Sequence, residues 1–163
     1  MKLAFVLDPL EALKAYKDSS VAMMREAARR GHEVHALESR SMCLRDGRVM
    51  AAVRKLKMTD DDGAWYRAET TCDAPLAGFD RVLMRKDPPF DLEYYNATLL
   101  LDRVEAEGAR VVNRPRALRD WNEKLAILGF PTLTPATLVA SDMRRIHDFI
   151  DEHADVIVKR LDG

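Results

Sequence analysis

The sequence predicts an α/β fold, a mostly parallel sheet flanked by helices, because short apolar runs bounded by turn residues alternate with stretches of helical periodicity. Two further features support this class. The first helix carries end signals on both sides, and 163 residues with 47% hydrophobic content suit one domain, or one domain with a piece of a second.

Residues 3–7 form a continuous apolar run closed by Asp8-Pro9, as expected of a strand buried on both faces in a parallel sheet. Asp18, Ser19 and Ser20 offer N-cap oxygens ahead of a helical stretch over 21–30, and Gly31 can take the left-handed conformation that ends a helix. Residues 33–37 read as the second strand, and the intervening helix is long enough to return the chain for parallel pairing. Residues 42–45 and 48–50 flank Asp46-Gly47, a dipeptide favoured in tight hairpin turns, so an antiparallel excursion is predicted. Residues 59–74 are polar, acidic and weakly periodic, and read as loop or edge structure.

The buried-strand pattern returns over 79–84. Residues 92–107 carry Leu92, Tyr95, Leu99 and Val104 at helical spacing and stop at Gly108. Residues 109–113 form the next strand, and Pro115 opens a short helix. A second unit is predicted from about Trp121, dividing the chain into 1–120 and 121–163. It should contain a helix over 124–128, a strand near 137–139, a helix over 142–152 and a strand over 156–159. A free β-edge with nothing after it is a poor place for a natural domain to finish, so the chain is expected to be the amino-terminal part of a longer protein.

The formal net charge is -1 with both signs mixed, so there is no basic field for nucleic acid or anionic lipid. The apolar run at 3–7 is too short to span a bilayer, and the start lacks the longer apolar region and cleavage site of a signal peptide. The expectation is a cytoplasmic protein without membrane or nucleic-acid partners. Cys43 and Cys72 lack metal-binding or redox spacing and read as reduced packing thiols. The absence of G-x-G-x-x-G after the first strand, and of G-x-x-x-x-G-K-[ST] anywhere, argues against a nicotinamide domain and a P-loop nucleotidase.

Ligands of open parallel sheets bind beyond the carboxyl ends of the strands. Three polar clusters fall there: Asp8-Pro9, Arg85-Lys86-Asp87 and Asn113-Arg114-Pro115. Arg85 could hold a carboxylate bidentately with Lys86 beside it as a point charge; salt bridges to Asp87 or Asp91 are the structural alternative. Asp87-Pro88-Pro89-Phe90 is a stiff segment that suits a preformed site or a rigid surface turn. Asp18-Ser19-Ser20 opens a helix whose free N–H groups suit an anion, although N-capping alone explains these residues. Lys159 follows an apolar run and would be costly in a buried strand without an anionic partner, whereas most lysines, Lys124 included, are solvated surface charges. His32, His35, His147 and His153 have no identifiable partner and read as surface or packing residues.

Several stretches resemble bacterial glutathione synthases in that family's order. They are Val6-Leu7-Asp8-Pro9, Lys17-Asp18-Ser19-Ser20, residues 83–91 (Leu-Met-Arg-Lys-Asp-Pro-Pro-Phe-Asp), residues 112–115, residues 118–125 with Arg119-Asp120-Trp121-Asn122-Glu123-Lys124-Leu125, and residues 133–139. The resemblance covers essentially the whole chain. It implies a pre-ATP-grasp, Rossmann-like substrate domain over 1–120, followed over 121–163 by the beginning of an ATP-grasp lobe. It implies ATP-dependent ligation of γ-glutamylcysteine to glycine through an acyl phosphate, with Mg2+ as cofactor, metal ligands beyond residue 163 and a homo-oligomer at full length. On that basis the chain is not expected to be active alone. Lys124 and Lys159 match the family's ATP-binding lysines, and Asp18, Ser19, Ser20 and Arg85 fall in segments that would face the peptide. Arg160 departs from the proline usual after the second lysine. A ligase of the same superfamily with another substrate, and a non-catalytic α/β binding module, are the competing readings.

Overall fold

The computed structural model describes residues 1–162, and the chain divides into two compact units, Met1–Asp120 and Trp121–Gly163. In the first, the elements follow in the order β1 (Lys2–Leu7), α1 (Ser19–Arg29), β2 (Glu33–Glu38), β3 (Cys43–Arg45), β4 (Arg48–Met58), β5 (Tyr66–Ala68), β6 (Cys72–Pro75), β7 (Arg81–Met84), α2 (Leu92–Ala106), β8 (Arg110–Val112) and α3 (Pro115–Asp120).

The sheet runs β3-β4-β2-β1-β7-β8, with β5 and β6 also paired to β4. Its centre is parallel: β1 pairs with β2 and β7, and β7 with β8. Beyond β2 it becomes antiparallel through β4, an extension larger than the sequence pattern indicates. The turn between β3 and β4 has positive φ at both Asp46 and Gly47, as a tight two-residue hairpin turn demands.

β1 shows why the alternation of strand and helix produces this architecture. Leu3, Phe5 and Leu7 pack on one face with Val21, Met24 and Ala27 of α1, while Ala4 and Val6 pack on the other with Tyr94, Ala97, Leu101 and Val104 of α2. Successive strand residues point to opposite faces, so a strand apolar throughout is one covered by helices on both sides. From β1 the chain moves through α1 to β2 on one side, and from β7 through α2 to β8 on the other. The neighbours β1 and β7 therefore flank the point where the winding direction reverses, which opens a crevice at their carboxyl ends.

Two expectations for this unit need correction. Cys43 and Cys72 are free but exposed, because the short edge strands β3 and β6 present almost every side chain to solvent. Leu92, Tyr95 and Leu99 lie on the exposed side of α2, whose buried side is Tyr94, Ala97, Thr98, Leu101 and Val104. The helix carries apolar residues on both sides, so spacing alone does not select the packed face.

In the second unit, α4 (Met143–His153) begins at the Asp142 cap as expected, but only a 3-10 turn at Ala126–Gly129 stands where the helix over 124–128 was predicted. The segments 137–139 and 156–159 are not strands. An apolar run becomes a strand only when another strand pairs with it, and this unit has none among the described residues. Lys159 is accordingly exposed in a segment without regular secondary structure, not held in a buried strand.

Candidate functional site

The crevice is built from the ends of β1 and β7 and from the start of α1. The ladder continues past β7, since the Arg85 amide donates to the Val6 carbonyl at 2.9 Å. Asp8, just beyond β1, then joins the two strand ends. Its carboxylate accepts from Lys86 Nζ and from the Asp87 amide, each at 3.0 Å. The Lys86 ion pair is thus to Asp8 and not to Asp87 or Asp91, and Asp91 is occupied in capping α2 through the Tyr94 amide.

Arg85 turns the other way, toward α1. Its Nε donates to Ser20 Oγ at 3.1 Å and a terminal nitrogen donates to Ser19 Oγ at 2.8 Å. Asp18 caps α1, with one carboxylate oxygen accepting from the Ser20 amide at 2.7 Å and the Val21 amide at 3.0 Å. The four residues singled out in the sequence as peptide-facing are therefore contiguous in space. A cavity of about 350 Å³ opens over them, lined also by Ala12, Leu13, Lys14, Lys17 and Asp87. Its size falls at the lower end of the roughly 300–1,000 Å³ common for small-molecule sites.

Tyr94 approaches this rim from α2. Burial pushes its phenol up, and the charges of Arg85, Asp87 and Asp8 act on it as well. Lys14 and Tyr94 were not picked out in the sequence, and Lys17 only as part of a stretch that resembles the family. The available signal was the position of the two lysines in the connection leaving β1, which must border the crevice at a winding reversal. Asn113 and Arg114 make no side-chain hydrogen bond to this cluster among the described residues.

The second unit places Lys124 beside Glu123, with Nζ donating to the carboxylate at 2.7 Å. That bond, and then the charges of Lys124 and Lys159, hold the exposed Glu123 carboxyl below the usual range. Asn122 ties its side-chain amide to the Leu161 carbonyl at 3.1 Å. Among the described residues no group of three or more His, Cys, Asp or Glu could hold a metal ion. No helix among them is long and apolar enough to cross a membrane.

A family model described as the N-terminal domain of prokaryotic glutathione synthetase matches residues 1–119, and one described as the ATP-grasp domain of the same family matches residues 123–163. Among similar curated proteins, glutathione synthetases of Nitrosomonas europaea, Vibrio parahaemolyticus and Escherichia coli are 51%, 46% and 44% identical. Each match covers 100% of this chain and 52% of the relative, so the chain spans about half the length of the curated relatives it matches. Among solved structures, the ATP-grasp ligase PsnB complexed with a minimal precursor aligns with a TM-score of 0.49 at 20% identity, covering 98% of this chain and 54% of that one.

Proposed function

The chain belongs to the prokaryotic glutathione synthetase family, and from that premise we propose that it forms the amino-terminal half of a ligase joining γ-glutamylcysteine to glycine at the expense of ATP. Residues 1–120 would bind the peptide, and residues 121–163 would begin the ATP-grasp lobe. The observation that carries this reading is the crevice at the ends of β1 and β7, where Arg85 is held by Ser19 and Ser20 under an open cavity. A guanidinium fixed through two of its nitrogens keeps another for a ligand carboxylate, and its planar fork suits that anion.

Asp18, Ser19 and Ser20 supply the opposite wall. Their work is positional: Asp18 secures the first turn of α1, which holds the two hydroxyls facing Arg85. Lys124 and Lys159 would serve the ATP phosphates, Lys124 exchanging the Glu123 carboxylate for a more highly charged partner. Mg2+, when bound, neutralises charge on phosphates undergoing transfer; its ligands would come from other parts of a complete ligase. A cytoplasmic homo-oligomer using only small-molecule substrates is consistent with the family and with the absence of a basic field.

In a complete ligase carrying this chain as its first half, Arg85→Ala should raise the KM for γ-glutamylcysteine about tenfold or more, the scale of one charge-assisted hydrogen bond, and change the KM for ATP little. Lys124→Met and Lys159→Met should do the opposite. An unchanged peptide KM in a folded Arg85→Ala enzyme would remove this crevice from the peptide site.

A further inference from the structure

α2 turns a second apolar face to solvent. Its packed side holds Tyr94, Ala97, Leu101 and Val104, and on the opposite side Leu92, Tyr95 and Leu99 stand exposed, with Arg103 and Ala106 continuing the line. Residues three and four apart share one face of a helix, so these five form a single stripe. Large apolar side chains gathered on one exposed surface mark a place where another molecule binds.

The spacing of the stripe identifies that molecule. Counted outward from Leu99, it is symmetric: Tyr95 lies four residues before and Arg103 four after, Leu92 seven before and Ala106 seven after. Two antiparallel copies related by a two-fold axis at Leu99 therefore bring Leu99 onto Leu99, Tyr95 beside the partner's Arg103, and Leu92 beside the partner's Ala106. Each pair suits contact. Arg103 is held at its edge, with Nε 3.3 Å from the Glu107 carboxylate and a terminal nitrogen donating to the Gly47 carbonyl at 3.2 Å, yet its side chain is 54% exposed. The flat face of a guanidinium fixed in this way suits a tyrosine ring. Ala106 leaves room for the larger Leu92, and the hairpin of β3 and β4 supplies a further apolar contact there. The Val49 amide donates to the Glu107 carboxylate at 3.2 Å, which ties that hairpin to the end of α2, and Leu44, opposite Val49 in the pairing, is exposed. Glu93 and Glu105 lie about 120° around the helix from Leu99, so like charges do not meet on the seam.

We infer that the outer face of α2 docks a second copy of this chain, antiparallel and centred on Leu99. A partner of another sequence gives no reason for the symmetry of the stripe, whereas an isologous contact requires each surface to complement itself. One helix pair with a hairpin at either end covers less than the roughly 1,200–2,000 Å² of a standard interface, so the dimer dissociates with a Kd on the order of 10 μM. The inference is independent of the peptide and ATP assignments.

The test is sedimentation equilibrium of the 163-residue chain, which should show monomer and dimer in exchange. Leu99→Glu sets two carboxylates against each other on the axis and should weaken the dimer about a hundredfold or more. Leu99 lies outside the core, so the circular dichroism of this variant should stay that of the parent. Disulfide trapping reads the register, in a background where the exposed Cys43 and Cys72 are replaced by serine. Leu99→Cys should oxidise to a covalent dimer. Tyr95→Cys and Arg103→Cys should cross-link to each other when mixed, and neither to itself. A chain that stays monomeric at about ten times the expected Kd would overturn the inference, and so would a dimer that Leu99→Glu leaves intact. Tyr95→Cys coupling to itself as readily as to Arg103→Cys would overturn it as well, and each of these outcomes leaves the peptide site standing.

Discussion

Adjacent residues at the end of β7 take opposite work. The Lys86 side chain is 15% exposed and its partner Asp8 28%, so this ion pair is more shielded than any typical surface bridge. It also joins the ends of two central strands, because Asp8 accepts from the Asp87 amide as well. Arg85 spends its donors on two serine hydroxyls, one exposed at the surface, which water can replace. Lys86→Met should therefore destabilise the first unit by roughly 1–2 kcal/mol, the cost of a carboxylate losing its charged hydrogen-bond partner, while Arg85→Ala should cost well under that. Urea midpoints of the two variants decide the matter; a larger loss for Arg85→Ala would reverse the division of roles. Extended geometry past β7 already suggests in the sequence that the two side chains part, but the identity of Asp8 as the Lys86 partner depends on parallel pairing of strands 78 residues apart.

Elements are legible in the sequence where their cause is local. Asp18 and Gly31 announce both ends of α1, and Asp46-Gly47 announces the turn between β3 and β4, because each residue satisfies a backbone need within a few positions. Legibility fails where the cause lies in a neighbour. Residues 156–158 are apolar but find no strand to pair with, and α2 presents apolar residues to both sides, so only the sheet decides that Leu101 and not Leu99 is packed. The site divides in the same way: Arg85, Ser19 and Ser20 can be singled out by type and place, whereas Lys14 and Lys17 gain meaning only from the wall opposite. β2 offers a test of such a neighbour effect. His35 lies edge-on to Phe79 at 5.0 Å with Nδ1 buried and unbonded, and burial pushes its ring pKa down, against the pull of Glu33 and together with the push of Lys55 and Lys2. A base depressed in the folded state binds its proton more readily when unfolded. Its contribution to stability is full above the ordinary histidine range near 6.5 and declines as pH falls below that value toward the lower folded pKa. Thermal midpoints measured from pH 8 to pH 5 should fall, and His35→Leu should flatten that fall. A slope unchanged by the substitution would assign the acid sensitivity to other groups.

At the scale of the whole chain, the two units differ in what holds them together. The first buries apolar side chains on both faces of its sheet, with Val6, Val21, Val82 and Leu101 fully enclosed. The second has no buried residue among those described, and Leu133, Ile157 and Val158 are 81%, 86% and 73% exposed. Its helix α4 has 11 residues, and the apolar stripe Ile146, Phe149 and Ile150 is only partly buried. A helix of that length is marginal in water by itself, since below about 12–15 residues propagation scarcely repays nucleation. Burial contributes roughly 25 cal/mol per Å² of apolar surface, so a unit that covers little of its apolar surface opens at low free-energy cost. Hydrogen exchange on this chain should therefore show two levels. Amides of β1, β2 and β7 should exchange only with global unfolding of the first unit, and those of α4 should exchange far sooner, through openings that leave the sheet intact. Protection of α4 equal to that of β1 would mean that a core absent from its own residues holds it, and the account of the second unit as weakly self-supporting would have to be abandoned.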